Sequence, residues 1–120
     1  MKDFLVRKGI YIESQQTRRS GIRERRLLTI EDSPHQNVLI FEVEEGAEVE
    51  FHQIHTSESL YILEGIFEIF SRVSKNSLSP GDLVHFPSSS SHGMRCVQGP
   101  GRYLGIFAPA VQKTTPKPTQ

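Results

Sequence analysis

An all-β domain is the fold class this sequence predicts, and three observations carry the prediction. Apolar residues come in short bursts, the bursts are separated by Gly, Pro, Ser and Asn, and no stretch keeps a helical repeat over three turns. Taken in order, the first burst is Phe4, Leu5, Val6, Ile10 and Ile12, which places a strand at 4–12. Ile22, Leu27, Leu28 and Ile30 place the second at 22–30, and the Val38-Leu39-Ile40-Phe41 run the third at 37–44. Val49 and Phe51 alternate with glutamates and place a half-buried strand at 47–53. The remaining bursts place strands at 59–63, 66–73, 83–86, 92–97 and 102–107. Turn formers fill the gaps: Ser33-Pro34, Glu45-Gly46, Thr56-Ser57, Glu64-Gly65, Lys75-Asn76, Ser79-Pro80-Gly81, the serine run 88–91 and Gly99-Pro100-Gly101.

So many short strands with close turns indicate a sandwich, a jelly roll or a small barrel, because only closure or sheet-on-sheet packing hides that many half-apolar faces. A doubly wound α/β fold is excluded. The 120 residues and 13.6 kDa suit one domain with a core that folds without disulfides. Within it, strands in 1–36 are expected to contribute to the barrel and to a dimer interface, 37–109 to form the barrel core, and 110–120, with Pro116 and Pro118 and no apolar anchor, to be a disordered tail. The single cysteine, Cys96, allows no internal bridge. Neither a leader-like pattern nor a run of about 18 apolar residues occurs, so the expected setting is soluble, reducing and cytoplasmic, with no membrane partner.

Fourteen Lys plus Arg balance fourteen Asp plus Glu, which removes the whole-molecule field of a nucleic-acid binder or of a protein drawn to anionic membranes. The charge is nonetheless clustered. Arg18, Arg19, Arg23, Arg25 and Arg26 crowd one stretch, and Glu42, Glu44, Glu45, Glu48 and Glu50 another. Two readings follow: solvated faces of neighbouring strands that pair across the sheet or a dimer, or an anion pocket built from the arginines.

The chemistry concentrates between Gly46 and Cys96. In the first half, Gly46 is followed after five residues by His52, then by Glu58 and by Gly65; in the second, Gly81 is followed by Pro87 and then by His92. The two halves resemble the two sequence motifs of the cupin superfamily, and the chain is similar to a small single-domain cupin. The resemblance implies a double-stranded β-helix, the jelly-roll barrel of that family, with a metal ion at its mouth. Three positions depart from the pattern. Ile54 stands where the family most often has its second metal-binding histidine, Ser89 where it often has glycine, and Cys96 where it often has asparagine.

The spacing makes chemical sense without the family. Side chains on a strand alternate faces, so His52 and residue 54 point the same way, and a turn at Thr56-Ser57 returns the chain with Glu58 beside them. Leu60 and Ile62 follow Glu58 on that face, and Met94 and Cys96 follow His92, which makes an apolar floor under a polar mouth. Two imidazoles and a carboxylate in such a cup suit a divalent ion of the Fe, Mn, Zn, Ni or Co kind. His55 points away by strict alternation and joins as a fourth ligand only if a bulge swings it inward. The opposing reading is a buried polar cluster, a carboxylate against imidazolium, that holds no metal. His85 and His35 have no motif partner and read as surface or packing residues, Cys96 as a small buried hydrophobe, and the serine run as a loop over the mouth.

Two functions are therefore expected to compete. One is a small metal-dependent cupin that acts on an organic acid, sugar derivative or amino-acid derivative by oxygenase, isomerase or lyase chemistry. The other is a non-catalytic cupin that binds a small ligand or a protein partner, possible without metal. In either case a homodimer is expected, with Phe4, Leu5, Val6, Ile10 and Ile12 as the shared apolar surface and Tyr61 and Leu63 packed on a second sheet or a partner subunit.

Overall fold

The bursts fold into strands that pair only antiparallel: β1 (Gln15–Gln16), β2 (Ile22–Leu28), β3 (Asn37–Val43), β4 (Glu48–Gln53), β5 (Ser57–Phe70), β6 (Lys75–Leu78), β7 (Leu83–Phe86) and β8 (Ser91–Ala108), in a computed structural model that describes residues 3–111. The two long strands, β5 and β8, run side by side and each serves two sheets. The first half of β5 pairs with the second half of β8, from Ser57 opposite Ala108 to Ile62 opposite Tyr103, and this pair carries β7 on one side and β3, β2 and β1 on the other. The second half of β5 pairs with the first half of β8, and that pair carries β6 and β4. Leu60, Ile62 and Tyr103 from one sheet meet Phe67, Met94 and Cys96 from the other in a single core.

The sheets stay continuous because glycine turns the corner. Glu64-Gly65 and Gly99-Pro100-Gly101, predicted as turns, lie inside β5 and β8, so four predicted strands are two. The ladder slips register around Glu64 and Ile66 and continues. Gly65 has φ +86°, and a Cβ on it would lie 2.8 Å from the Gln98 carbonyl oxygen and 2.9 Å from Gly101 Cα. Gly65→Ala is accordingly expected to cost more than about 2 kcal/mol, from the left-handed backbone and a clash with main chain that cannot step aside. Thermal melts should show Tm lowered by roughly 8 °C or more; an unchanged Tm would mean that the corner yields.

Other expectations need correction. Residues 4–12 form no strand; the segment is irregular with one 3₁₀ turn at Gly9–Tyr11, and Phe4, Leu5, Val6, Ile10 and Tyr11 are exposed. A strand needs a ladder partner, and on the β2 edge it would join, β1 holds Arg23 and Glu24 while the segment pairs with none of the rest. Arg7 instead ties the segment to Asp32 and to the Leu27 carbonyl. The 66–73 strand ends at Phe70, Ser71 and Ser74 close the hairpin, and Lys75-Asn76, predicted as a turn, opens β6. This edge strand, Lys75-Asn76-Ser77-Leu78, is mostly exposed, so it lacks the apolar alternation that marks a strand. Ala110 and Val111, grouped with the tail, are tied back by hydrogen bonds to the Pro34 carbonyl and the Asn37 side chain; the rest of that segment, 112–120, lies outside the described residues. Among the described residues no helix is long and apolar enough to cross a membrane.

Candidate functional site

One bulge arranges the mouth of the barrel. Val49 faces Met94 and His52 faces His92, so β4 carries one more residue than β8 between these pairs. Val49 and His52, three apart, therefore both line the same inner cavity, and the His52 ring lies 5.3 Å from that of His92. Glu58, at the start of β5, completes the group: its Oε1 is 3.8 Å from His92 Nε2. Three of the predicted residues thus reach a single cavity of about 110 Å³ from three different strands. Leu60 and Met94 supply its apolar floor, as the alternation predicts, while Ile62 and Cys96 are fully buried in the core.

His55 does not join them. It is exposed and lines an outer basin of about 300 Å³ that shares His52 and Glu58 with the inner cavity. The serine loop explains the placement. Ile54 N–H donates to the Ser90 carbonyl, Ser89 N–H donates to the Ile54 carbonyl, and the Ser88 hydroxyl donates to the His55 carbonyl, which locks Ile54 into the core and His55 outside. Ser89, where glycine is common in the resembling motif, has φ +75°. His85 is exposed and bonded to Ser59 Oγ at 2.9 Å, and His35 is exposed.

Burial sets the electrostatics. His92 stacks flat on Phe86, with ring centroids 3.6 Å apart, and is 3 % exposed. Burial first, then the neighbouring His52 ring and Arg19, lowers its pKa to about 4. Burial pushes the Glu58 carboxyl up to about 7, against the opposing charge of Arg19. At neutral pH His92 is therefore neutral, and the Glu58–His92 contact is not the ion pair that a carboxylate against imidazolium would be. Burial, then Glu58, raises the Tyr103 hydroxyl.

The Cupin domain family model (Cupin_2) matches residues 39–107. The chain belongs to the cupin family. Among curated proteins this cupin is 30 % identical over 61 residues to quercetin 2,3-dioxygenase from Bacillus subtilis (strain 168), covering 51 % of this chain and 18 % of that one, so it spans under a fifth of that relative's length. Among solved structures it is similar to an RmlC-like cupin from Shewanella frigidimarina NCIMB 400, with TM-score 0.77, 23 % identity and coverage of 92 % of this chain and 93 % of that one. It is likewise similar to KdgF from Halomonas sp., with TM-score 0.75, 23 % identity and coverage of 82 % and 89 %. At these identities the structures carry the fold, and among the three candidate architectures they select the jelly-roll double-stranded β-helix.

Two further side chains line the cavity of this cupin, Glu24, which was not foreseen, and Arg19, foreseen only as one of five arginines that could build an anion pocket. Glu24 is 8 % exposed, lines the cavity and pairs with Arg26, whose Nε is buried without a hydrogen-bond partner among the described residues. The Ile22-x-Glu24-x-Arg26 alternation was the available signal, masked by the habit of reading charge as surface. Arg19 also reaches the cavity. Within the arginine cluster Arg25 pairs across strands with Glu42 at 3.0 Å, Arg19 reaches from the β1–β2 turn to Glu50 at 2.9 Å, and Arg23 bonds Ser14.

Whether the site suits a divalent ion is a question of donors. His52 is prepared: its Nδ1 donates to the Glu50 carbonyl at 2.8 Å, which leaves the Nε2 lone pair free, the tautomer that ligating histidines use. Donor atoms around one ion stand about 2.0–2.2 Å from a common centre. Among the described residues no three His, Cys, Asp or Glu side chains are gathered closely enough to do so. His52, Glu58 and His92 fit a metal in type and not in arrangement, and Ile54 fills the remaining corner with core.

Proposed function

We propose that this cupin takes a small polar metabolite into the barrel cavity, where Glu58, His92 and His52 meet it. The observation that carries this reading is the convergence of those three side chains, from three strands, on one small cavity with an apolar floor. Glu58 and His92 offer a carboxyl and a neutral imidazole side by side, a pair able to give and accept a proton across a bound molecule without an ion. Quercetin 2,3-dioxygenase among the relatives is named for action on a small molecule, which agrees. A thermal-shift screen of small organic acids, sugar derivatives and amino-acid derivatives should yield compounds that raise Tm in the wild type and not in a Glu58→Ala/His92→Ala double variant. A screen in which nothing raises Tm, or in which the double variant responds equally, overturns the reading.

A second reading, favoured by the His52 tautomer, has His52, Glu58 and His92 drawn together around an Fe, Mn, Zn, Ni or Co ion. Calorimetric titration with Mn(II) or Zn(II) separates the two. We expect the same weak affinity in wild type and His92→Ala; a loss of tenfold or more in the variant, about 1.4 kcal/mol, would establish the metal. His55→Ala should change nothing in either case, since His55 lies outside.

The protein is further proposed to be a homodimer. Phe4 is 74 %, Ile10 84 % and Tyr11 84 % exposed, more apolar surface than a lone 13.6 kDa barrel leaves in water. Light scattering should give about twice that mass at micromolar concentration, and deletion of residues 1–12 should abolish the association. A monomer, or a dimer that survives the deletion, contradicts it.

A further inference from the structure

Arg19 is unlike the other arginines of its cluster. Its backbone is fixed from several sides: the Gln16 amide and Ile22 N–H both donate to its carbonyl, and its own N–H donates to Thr17 Oγ1, whose hydroxyl donates in turn to the Ile22 carbonyl at 2.7 Å. Its guanidinium is fixed as well. Nε and Nη2 fork onto the two oxygens of Glu50 at 2.9 and 3.2 Å. A guanidinium has five N–H donors, and this fork uses two. The donors on the far edge, one from Nη2 and both from Nη1, have no partner among the described residues. Arg19 lines both the inner cavity and the outer basin, so it stands where the two join. The same charge is felt at Glu58, His92 and Tyr103.

A planar cation held still, with one two-donor edge free at the entrance to a cavity, matches a carboxylate in shape and charge. We propose that Arg19 selects the ligand, and that the ligand is a small monocarboxylate whose carboxylate docks on the free edge of Arg19 while its uncharged end enters the inner cavity. This rests on the reading that the cavity receives a small molecule. The inner end offers a second carboxylate no cation of its own, because Arg19 is the one arginine or lysine among the lining residues and the floor is Leu60 and Met94. Its volume, about 110 Å³, sets the size; a 150 Å³ cavity admits benzene, so a ligand of about six heavy atoms is the upper range.

Butyrate, butyramide and succinate are the probes, titrated into chelator-treated protein and followed by NMR shifts of the cavity methyl groups. Butyrate is expected to bind at least tenfold more tightly than butyramide, which has the same shape without the charge, and more tightly than succinate. Arg19→Gln should weaken butyrate at least tenfold and leave butyramide unchanged. Arg19→Lys, which keeps the charge and loses the fork, should weaken it at least threefold and serves as the test if the glutamine variant fails to fold. Equal binding of butyrate and butyramide, or a variant that leaves butyrate unchanged, overturns the role of Arg19 while the small-molecule reading stands. Succinate binding as tightly as butyrate overturns the monocarboxylate class. If none of the three binds, this inference falls, while the reading beneath it stands or falls by the thermal-shift screen.

Discussion

A His92→Gln variant is expected to lose about 3 kcal/mol of stability as pH rises from about 4.5 to about 7, a slope absent from the wild type over most of that window. The two buried groups titrate in opposite senses. Glu58 keeps its proton up to about 7 in the folded state and releases it near 4.5 when unfolded, so its contribution is full below 4.5 and lost as pH rises through 7. His92 is neutral in the folded state down to about 4 and takes a proton near 6.5 when unfolded, so its contribution is full above 6.5 and lost as pH falls to 4. Between 4.5 and 6.5 the folded chain holds a proton on Glu58 and the unfolded chain holds one on His92, and the slopes cancel. Removing His92 exposes the falling limb. Glu58→Gln exposes the opposite one, a loss of about 3 kcal/mol as pH drops from 6.5 to 4. Urea melts in chelator at four pH values across this range decide it; level stability in both variants would show that neither group is desolvated.

Phe67→Ala should cost about 3–5 kcal/mol, the range for emptying a well-packed aromatic site. Phe67 is 0 % exposed, meets Tyr103 edge to face at 5.5 Å, and lies just past the corner of β5, where both sheets press on it. Gly101 faces it so closely that a Cβ there would lie 2.5 Å from Phe67 Cζ. The cavity and the crowding are one site, so Gly101→Ala should destabilise the wild type more than it destabilises Phe67→Ala. Additive costs would show that the two residues do not share that space.

What the sequence disclosed followed from how each side chain declares itself. The two motifs mark His52, Glu58 and His92, and the strand repeat explains why those spacings bring them to one mouth, so these three could be placed beforehand, whereas Gly65 was marked as a turn and not as a corner inside β5. The bulge ahead of His52 could not, because an extra residue in a ladder leaves no compositional trace. Glu24 was hidden for a different reason, since charge in an arginine-rich stretch reads as solvent; the anion-pocket reading included Arg19, and only the fold shows which of the five arginines lines the cavity. The polar β6 and the apolar 4–12 arm misled in opposite directions, since a strand needs a partner more than it needs hydrophobicity. His55 was settled by the serine loop, where the Ser88 hydroxyl bonds the His55 carbonyl from 33 residues away in sequence.

The sharing of β5 and β8 between the two sheets gives the molecule no seam. In sandwiches whose strands each belong to one layer, a layer can fray or be exchanged while the other holds. Here each central strand is one piece of chain passing through both layers, so loosening either layer pulls on the corner at Gly65 and on the other layer through it. The chain is in this sense a single mechanical loop. Insertions and new termini have natural homes at the Ser71–Ser74 hairpin and the Ser79–Asp82 turn, outside the loop, and none at the corners.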